Sequence, residues 1–137
     1  RRKIAEYYYN ELKNFHPDVI PQFVIARSPA ESGTTKQSLW SHYPVRIINR
    51  DAKMIREKIK KKGIEVGVTF DYSLPELPIF SAIGGSALGG KQYKDREFPN
   101  SKKAAEEMIN LPNYPSLNFS DAEYIVKSLK DLLSYLP

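Results

Sequence analysis

The sequence predicts an α+β domain: a small, mostly antiparallel sheet of about three strands with four helices packed on it. Two observations lead there. Apolar residues recur at helical spacing in four stretches, and three short runs rich in β-branched and aromatic residues lie between the first and the third of them. Strand, helix and strand signals also follow one another over residues 39–70. The length of 137 residues suits one domain with a real core, and 41% hydrophobic with 27% charged residues is a globular composition.

Each element has its own signature. In RRKIAEYYYNELKNF, Ile4, Tyr8, Leu12 and Phe15 form one apolar stripe. His16-Pro17 ends that helix, because a residue before proline avoids the α region. QFVIARS, residues 22–28, reads as a strand through Phe23, Val24 and Ile25. The polar loop 31–38 leads to LWSHYPVRII, residues 39–48, a second strand whose Pro44 argues for an edge position or a bulge. Asp51 can cap the helix AKMIREKIKKK, which buries Ile55 and Ile59, and Gly63 is placed to close it in the left-handed conformation. IEVGVTF, residues 64–70, reads as a third strand, and residues 71–97 form a long irregular segment of the kind that often carries function. A third helix follows Pro99 and runs to Ile109, with Ala104, Ala105, Met108 and Ile109 on one side. An apolar connector, residues 110–117, holds Pro112 and Pro115. The last helix starts at Ser120-Asp121-Ala122-Glu123, the pattern of a capping box. Ile125, Val126, Leu129, Leu132, Leu133 and Leu136 give it a broad apolar face.

Composition excludes several chemistries. With no cysteine there is no disulfide, thiolate metal site or cysteine nucleophile, which fits a reducing, cytoplasmic setting. The net charge of +5 is spread along the chain, and its densest run, Lys58 and Lys60 to Lys62, sits at a helix C-terminus where the dipole favours cations. No apolar run is long enough for a membrane span. GGSALGG, residues 84–90, lacks the Lys-Ser/Thr step and the helix that a phosphate-binding loop requires. His16 and His42 have no ligand partners at metal-binding spacing. Ser41 and His42 leave opposite faces of a strand and cannot form a dyad. Nine tyrosines could offer stacking surfaces, but Tyr7, Tyr8 and Tyr9 lie on an amphipathic helix and no nucleic-acid module accompanies them. From spacing and composition alone, the chain carries no complete active site, and a free-standing ligand-binding or regulatory domain stays open.

A resemblance adds to this reading. FPNSKKAAEEMINLPNYPSLNFSDAEYIVKSL resembles the C-terminal end of the DegT-type sugar aminotransferases, fold-type I enzymes that use pyridoxal phosphate to aminate keto sugars on nucleotides. The steps that carry it are Pro99, Asn110-Leu111-Pro112, Pro115-Ser116-Leu117 and Ser120-Asp121-Ala122-Glu123. Upstream, RRKIAEYYYNEL, LWSHYPVRI and RDAKMIREKIKKKGIEVGVTF are similar to the family's arginine-paired helix, Trp-His strand and Arg-Asp helix. The order and spacing of these motifs cover nearly the whole chain.

The resemblance implies a fragment: residues 1–137 as one C-terminal small domain, without the larger domain that holds the cofactor and its Schiff-base lysine. It implies pyridoxal phosphate in the full-length enzyme but not on this piece, with no catalytic, cofactor-binding or metal residue in this chain. The partners implied are a nucleotide sugar, an amino donor, usually glutamate, and a second subunit in a homodimer, with neither nucleic acid nor membrane. The substrate-facing positions would be Trp40, Thr69, Phe70 and Tyr72. Two departures stand out: the family histidine after the tryptophan falls at Ser41, and the histidine before the aromatic falls at Thr69. In this reading Leu111 and Leu117 tuck an extended strap under the sheet, stiffened by its two prolines.

Overall fold

The computed structural model describes residues 1–21, 42–69, 71–77 and 98–135. In chain order these form α1 (Arg2–Leu12), β1 (Val19–Pro21), β2 (Tyr43–Ile47), α2 (Ala52–Lys60), a 3-10 turn (Leu74–Glu76), α3 (Pro99–Glu107), β3 (Met108–Leu111) and α4 (Phe119–Ser134). The sheet runs β1-β2-β3, antiparallel at both junctions. This is the expected α+β class, with four α-helices and three strands among the described residues.

Register decides which side chains share a face. Val19 pairs with Ile47, Val45 with Ile109 and Tyr43 with Leu111. All six are buried, so one face of the sheet is wholly apolar. Ile4, Tyr8 and Leu12 of α1, Ile55 and Ile59 of α2, and Ile125, Val126, Leu129 and Leu133 of α4 join them in one core. Tyr8 is the buried member of the tyrosine run, and its hydroxyl donates to the Pro112 carbonyl at 2.9 Å. That bond ties the first helix to the connector. Leu117 is buried, as the strap reading expects, whereas Leu111 is buried as the last residue of β3, within the sheet and not under it.

Several expectations need correcting. The third helix does not reach Ile109: it ends at Glu107, and Met108–Leu111 is a strand. The reason is long-range. Ile109 and Leu111 fill the core opposite Val45 and Tyr43, and Pro112 biases the residue before it away from the α region. Of the expected third strand, 64–70, the described residues 64–69 form one bridge, in which Gly67 and Asn110 exchange both backbone hydrogen bonds at 2.9 and 2.8 Å.

Pro44 lies in the central strand rather than at an edge or bulge. The ladder tolerates it because Asn110, its partner on β3, turns its own N–H and C=O toward Gly67. Pro44 thus occupies a non-hydrogen-bonded pair, where its missing donor costs nothing on that side. On the other side, the described pairing with β1 stops one residue short, at Val45.

The last helix is capped by Asn118, whose Oδ1 accepts from the Asp121 amide at 2.7 Å, and not by Ser120 and Glu123. The Ser120 hydroxyl donates to that same oxygen at 2.8 Å. Asp51 caps α2 as expected, accepting from the Lys53 amide, and Gly63 takes φ of 77°. The predicted strand 22–28, the glycine-rich loop 84–90 and Leu136 lie outside the described residues, while β1 just before the first of these was not anticipated.

Candidate functional site

The segment that follows the Gly67 bridge is fastened at several points. Thr69 is exposed, and its Oγ1 accepts from Asn110 Nδ2 at 2.8 Å. Asp71 Oδ1 accepts from Arg56 Nη2 of α2 at 2.8 Å. Ser73 is buried, and both its amide and its hydroxyl donate to Glu76 Oε2, at 2.6 and 3.0 Å. This is a capping box on the 3-10 turn, and it supplies a partner that the sequence did not reveal for Glu76. The two Ser73 bonds hold the Glu76 carboxyl below its ordinary value against a smaller opposing push from burial, and Lys102 of α3, 3.5 Å away, adds to the lowering.

Between these anchors Tyr72 is 46% exposed, and its hydroxyl makes no hydrogen bond among the described residues. The backbone that carries it is fixed on one side by the Arg56–Asp71 pair and on the other by the capping box. A side chain presented this way loses little further entropy on meeting a ligand. An aromatic ring with a free hydroxyl can cover the apolar side of a sugar ring and bond one of its hydroxyls.

Thr69 has one further property. Its oxygen accepts from Asn110, so its own hydroxyl proton is left to donate outward. Asn110 itself is buried on the face of the sheet away from the core, and its Oδ1 has no hydrogen-bond partner among the described residues. Of the four sequence-predicted positions, the structure brings Thr69 and Tyr72 into one short segment. Trp40 and Phe70 lie outside the described residues.

Beside this segment a cleft of about 610 Å³ opens between α2, α3 and the turn. Three ion pairs line it: Arg56 with Asp71, Lys102 with Glu76, and Lys103 with Glu107. Neither Thr69 nor Tyr72 lines it.

The sequence did not reveal the network around Glu107. The carboxylate is buried; Oε2 accepts from Arg46 Nε at 2.7 Å and Oε1 from the Asn49 amide at 2.8 Å. Burial pushes the carboxyl up, but the Asn49 amide, the bond and charge of Arg46 and the charge of Lys103 together hold it below its ordinary value. The four-residue spacing of Lys103 and Glu107 is a local signal of it in the sequence.

Pyridoxal phosphate requires a lysine sheltered from water and a cradle for its phosphate. Every described lysine is exposed or half-buried, so the described residues do not form such a site by themselves. No group of three metal-ligating side chains occurs among the described residues, and no described helix is long and apolar enough to cross a membrane.

A small α+β unit that presents a polar, aromatic-bearing segment beside its sheet is the class that the geometry defines. Residues 1–130 match the sequence profile of the DegT/DnrJ/EryC1/StrS aminotransferase family, and the chain belongs to that family. Among curated relatives, it is 27% identical over 93 residues to the pleiotropic regulatory protein of Geobacillus stearothermophilus, covering 68% of this chain and 22% of that protein. It is 28% identical to an uncharacterized protein of Methanocaldococcus jannaschii, covering 98% of this chain and 31% of that one.

Solved structures share the fold. The aminotransferase TlmJ of Streptoalloteichus hindustanus superposes with a TM-score of 0.71 at 22% identity, over 99% of this chain and 31% of its own. DesV of S. venezuelae, solved with a ketimine intermediate, gives a TM-score of 0.74 at 15% identity, over 99% and 32%. The chain therefore spans about a third or less of the length of these relatives.

Proposed function

We propose that this chain is the C-terminal small domain of a pyridoxal-phosphate-dependent aminotransferase that aminates a keto sugar carried on a nucleotide, with glutamate as the amino donor. The family match over residues 1–130 carries this reading. The share of length points the same way: the chain covers nearly all of itself but only 31% of TlmJ and 32% of DesV. The cofactor, as electron sink, would be held by the larger domain. This domain would contribute one wall of the sugar pocket, with Thr69 and Tyr72 as its contacts and Trp40 and Phe70 beside them. The intact enzyme would be a cytoplasmic homodimer acting in polysaccharide or secondary-metabolite synthesis.

The test is an assay of the full-length protein with cofactor, glutamate and nucleotide-linked keto sugars. The reading expects 2-oxoglutarate and an amino sugar in equal amounts. It also expects that the 137-residue piece, mixed with cofactor and reduced with borohydride, labels no single lysine stoichiometrically. Turnover by the piece alone would overturn the division of labour.

A second reading is favoured by the name of the Geobacillus relative and by the replacement of two family histidines, at Ser41 and Thr69. In it the intact protein is regulatory and does not transaminate. A full-length protein that binds the cofactor but exchanges no amino group with any donor would support it.

A further inference from the structure

The outer face of the sheet carries an arginine held in an unusual way. We propose that Arg46 is the cationic end of a binding site for a small carboxylate on a short aliphatic stem, with Glu107 and Asn49 positioning its guanidinium. Arg46 sits on the central strand, so its backbone is fixed by neighbours on both sides. It points away from the core, and its cross-strand neighbours on that face are Ile20 and Met108.

Among the described residues, one of the three guanidinium nitrogens is engaged. Nε donates to Glu107 Oε2 at 2.7 Å, and the two terminal nitrogens make no bond among the described residues. The side chain is 34% exposed, while that of Glu107 is 4% exposed. The carboxylate is therefore a buried post, and the outer fork of Arg46 faces outward with its orientation already set. That fork matches a carboxylate through two parallel bonds.

The post is itself supported at a structural cost. Asn49, whose amide binds the other Glu107 oxygen, has φ of 58° and is the one non-glycine with positive φ among the described residues. Lys103 Nζ donates to Asn49 Oδ1 at 3.1 Å and stands 3.8 Å from Glu107 Oε1. Residues held in such conformations concentrate at functional positions. A buried ion pair is also a poor way to gain stability alone, since apolar residues of the same size usually do as well. Arg46 and Lys103 against Glu107 leave one unbalanced positive charge, which one carboxylate would neutralise.

The flanking residues select the ligand class. Ile20 is 45% exposed and Met108 half-buried, so the fork lies beside apolar surface. A carboxylate with an aliphatic stem can use both. Phosphate would use the charge alone.

The experiment is an NMR titration of the protein with butyrate, acetate and inorganic phosphate, following the Arg46 guanidinium and the Ile20 and Met108 methyl signals. Butyrate should shift all three saturably and bind several-fold more tightly than acetate or phosphate. Arg46→Gln should abolish the response, and Arg46→Lys, which keeps the charge but loses the fork, should weaken it about tenfold. Glu107→Gln should weaken it as well, and unfolding midpoints recorded in parallel separate lost binding from lost folding. No saturable shift in the parent protein would overturn the proposal. So would equal affinity for all three anions, or an Arg46→Lys protein that binds butyrate as the parent does.

Discussion

The inner face of the sheet carries Val19, Tyr43, Val45, Ile47, Ile109 and Leu111, all buried in one core with residues of α1, α2 and α4. The outer face carries Ile20, Pro44, Arg46, Met108 and Asn110, and beside it run Thr69 and Tyr72. The same three strands thus serve two purposes. Inside, contacts are apolar, numerous and interchangeable in kind. Outside, the polar positions are held by single specific bonds, such as Asn110 to Thr69 and Arg46 to Glu107. Stability should therefore be concentrated on the inner face and specificity on the outer one.

The largest effect should come from the inner face. Leu129 is fully buried between α4 and the rest of the core, and Leu129→Ala should cost about 2–5 kcal/mol by chemical denaturation. A loss well below that range would mean that the α4 face is not the centre of the core.

The next effect lies in the polar network. Glu107→Gln replaces hydrogen bonds to a charged group, worth roughly 1.5–3 kcal/mol, with weaker neutral ones. Its folded carboxyl lies below the ordinary 4.5, so the stability it adds is fully present above that pH and is lost as pH falls through the folded value. Parent and variant should differ most near neutrality and converge in acid. A difference independent of pH would show that the charge of Glu107 is not what stabilises it.

A smaller loss should follow removal of the cap. Asn118→Ala should cost about 0.5–2 kcal/mol. Ser120→Ala should cost less, because Ser120 bonds the capping oxygen and no amide of the helix. The reverse order, read from thermal midpoints, would restore Ser120 as the cap.

The two faces also differ in how far the sequence disclosed them. The inner face was legible because burial imposes a period: Ile4, Tyr8 and Leu12, or Ile55 and Ile59, lie at a spacing that a helix places on one side, while the polar Glu6, Asn10 and Glu57 between them would share that face in a strand. Local backbone chemistry was legible too, in the Asp51 cap and the positive φ of Gly63. What failed depended on partners far along the chain. Met108 and Ile109 look helical until Tyr43–Ile47 is laid beside them, and Pro44 looks like an edge residue until Asn110 is seen bonding Gly67 instead.

The candidate site shows the same division. Thr69 and Tyr72 enter as candidates through the family resemblance, which expects them at and after a strand end. Asn110, Glu107 and Asn49 do not, because their roles come from contacts to residues 41, 61 and 58 positions away. No sequence window spans such distances.

Tyr72 tests the central claim that the outer segment serves a sugar and not the fold. Its exposure means that Tyr72→Ala should change stability by less than about 0.5 kcal/mol. In the full-length protein, the two half-reactions should then be followed separately in the Tyr72→Ala variant, one from glutamate to the cofactor and one from the cofactor to the keto sugar. The account predicts a weakened sugar half-reaction beside a glutamate half-reaction close to that of the parent. Equal loss in both, or no loss in either, would contradict it.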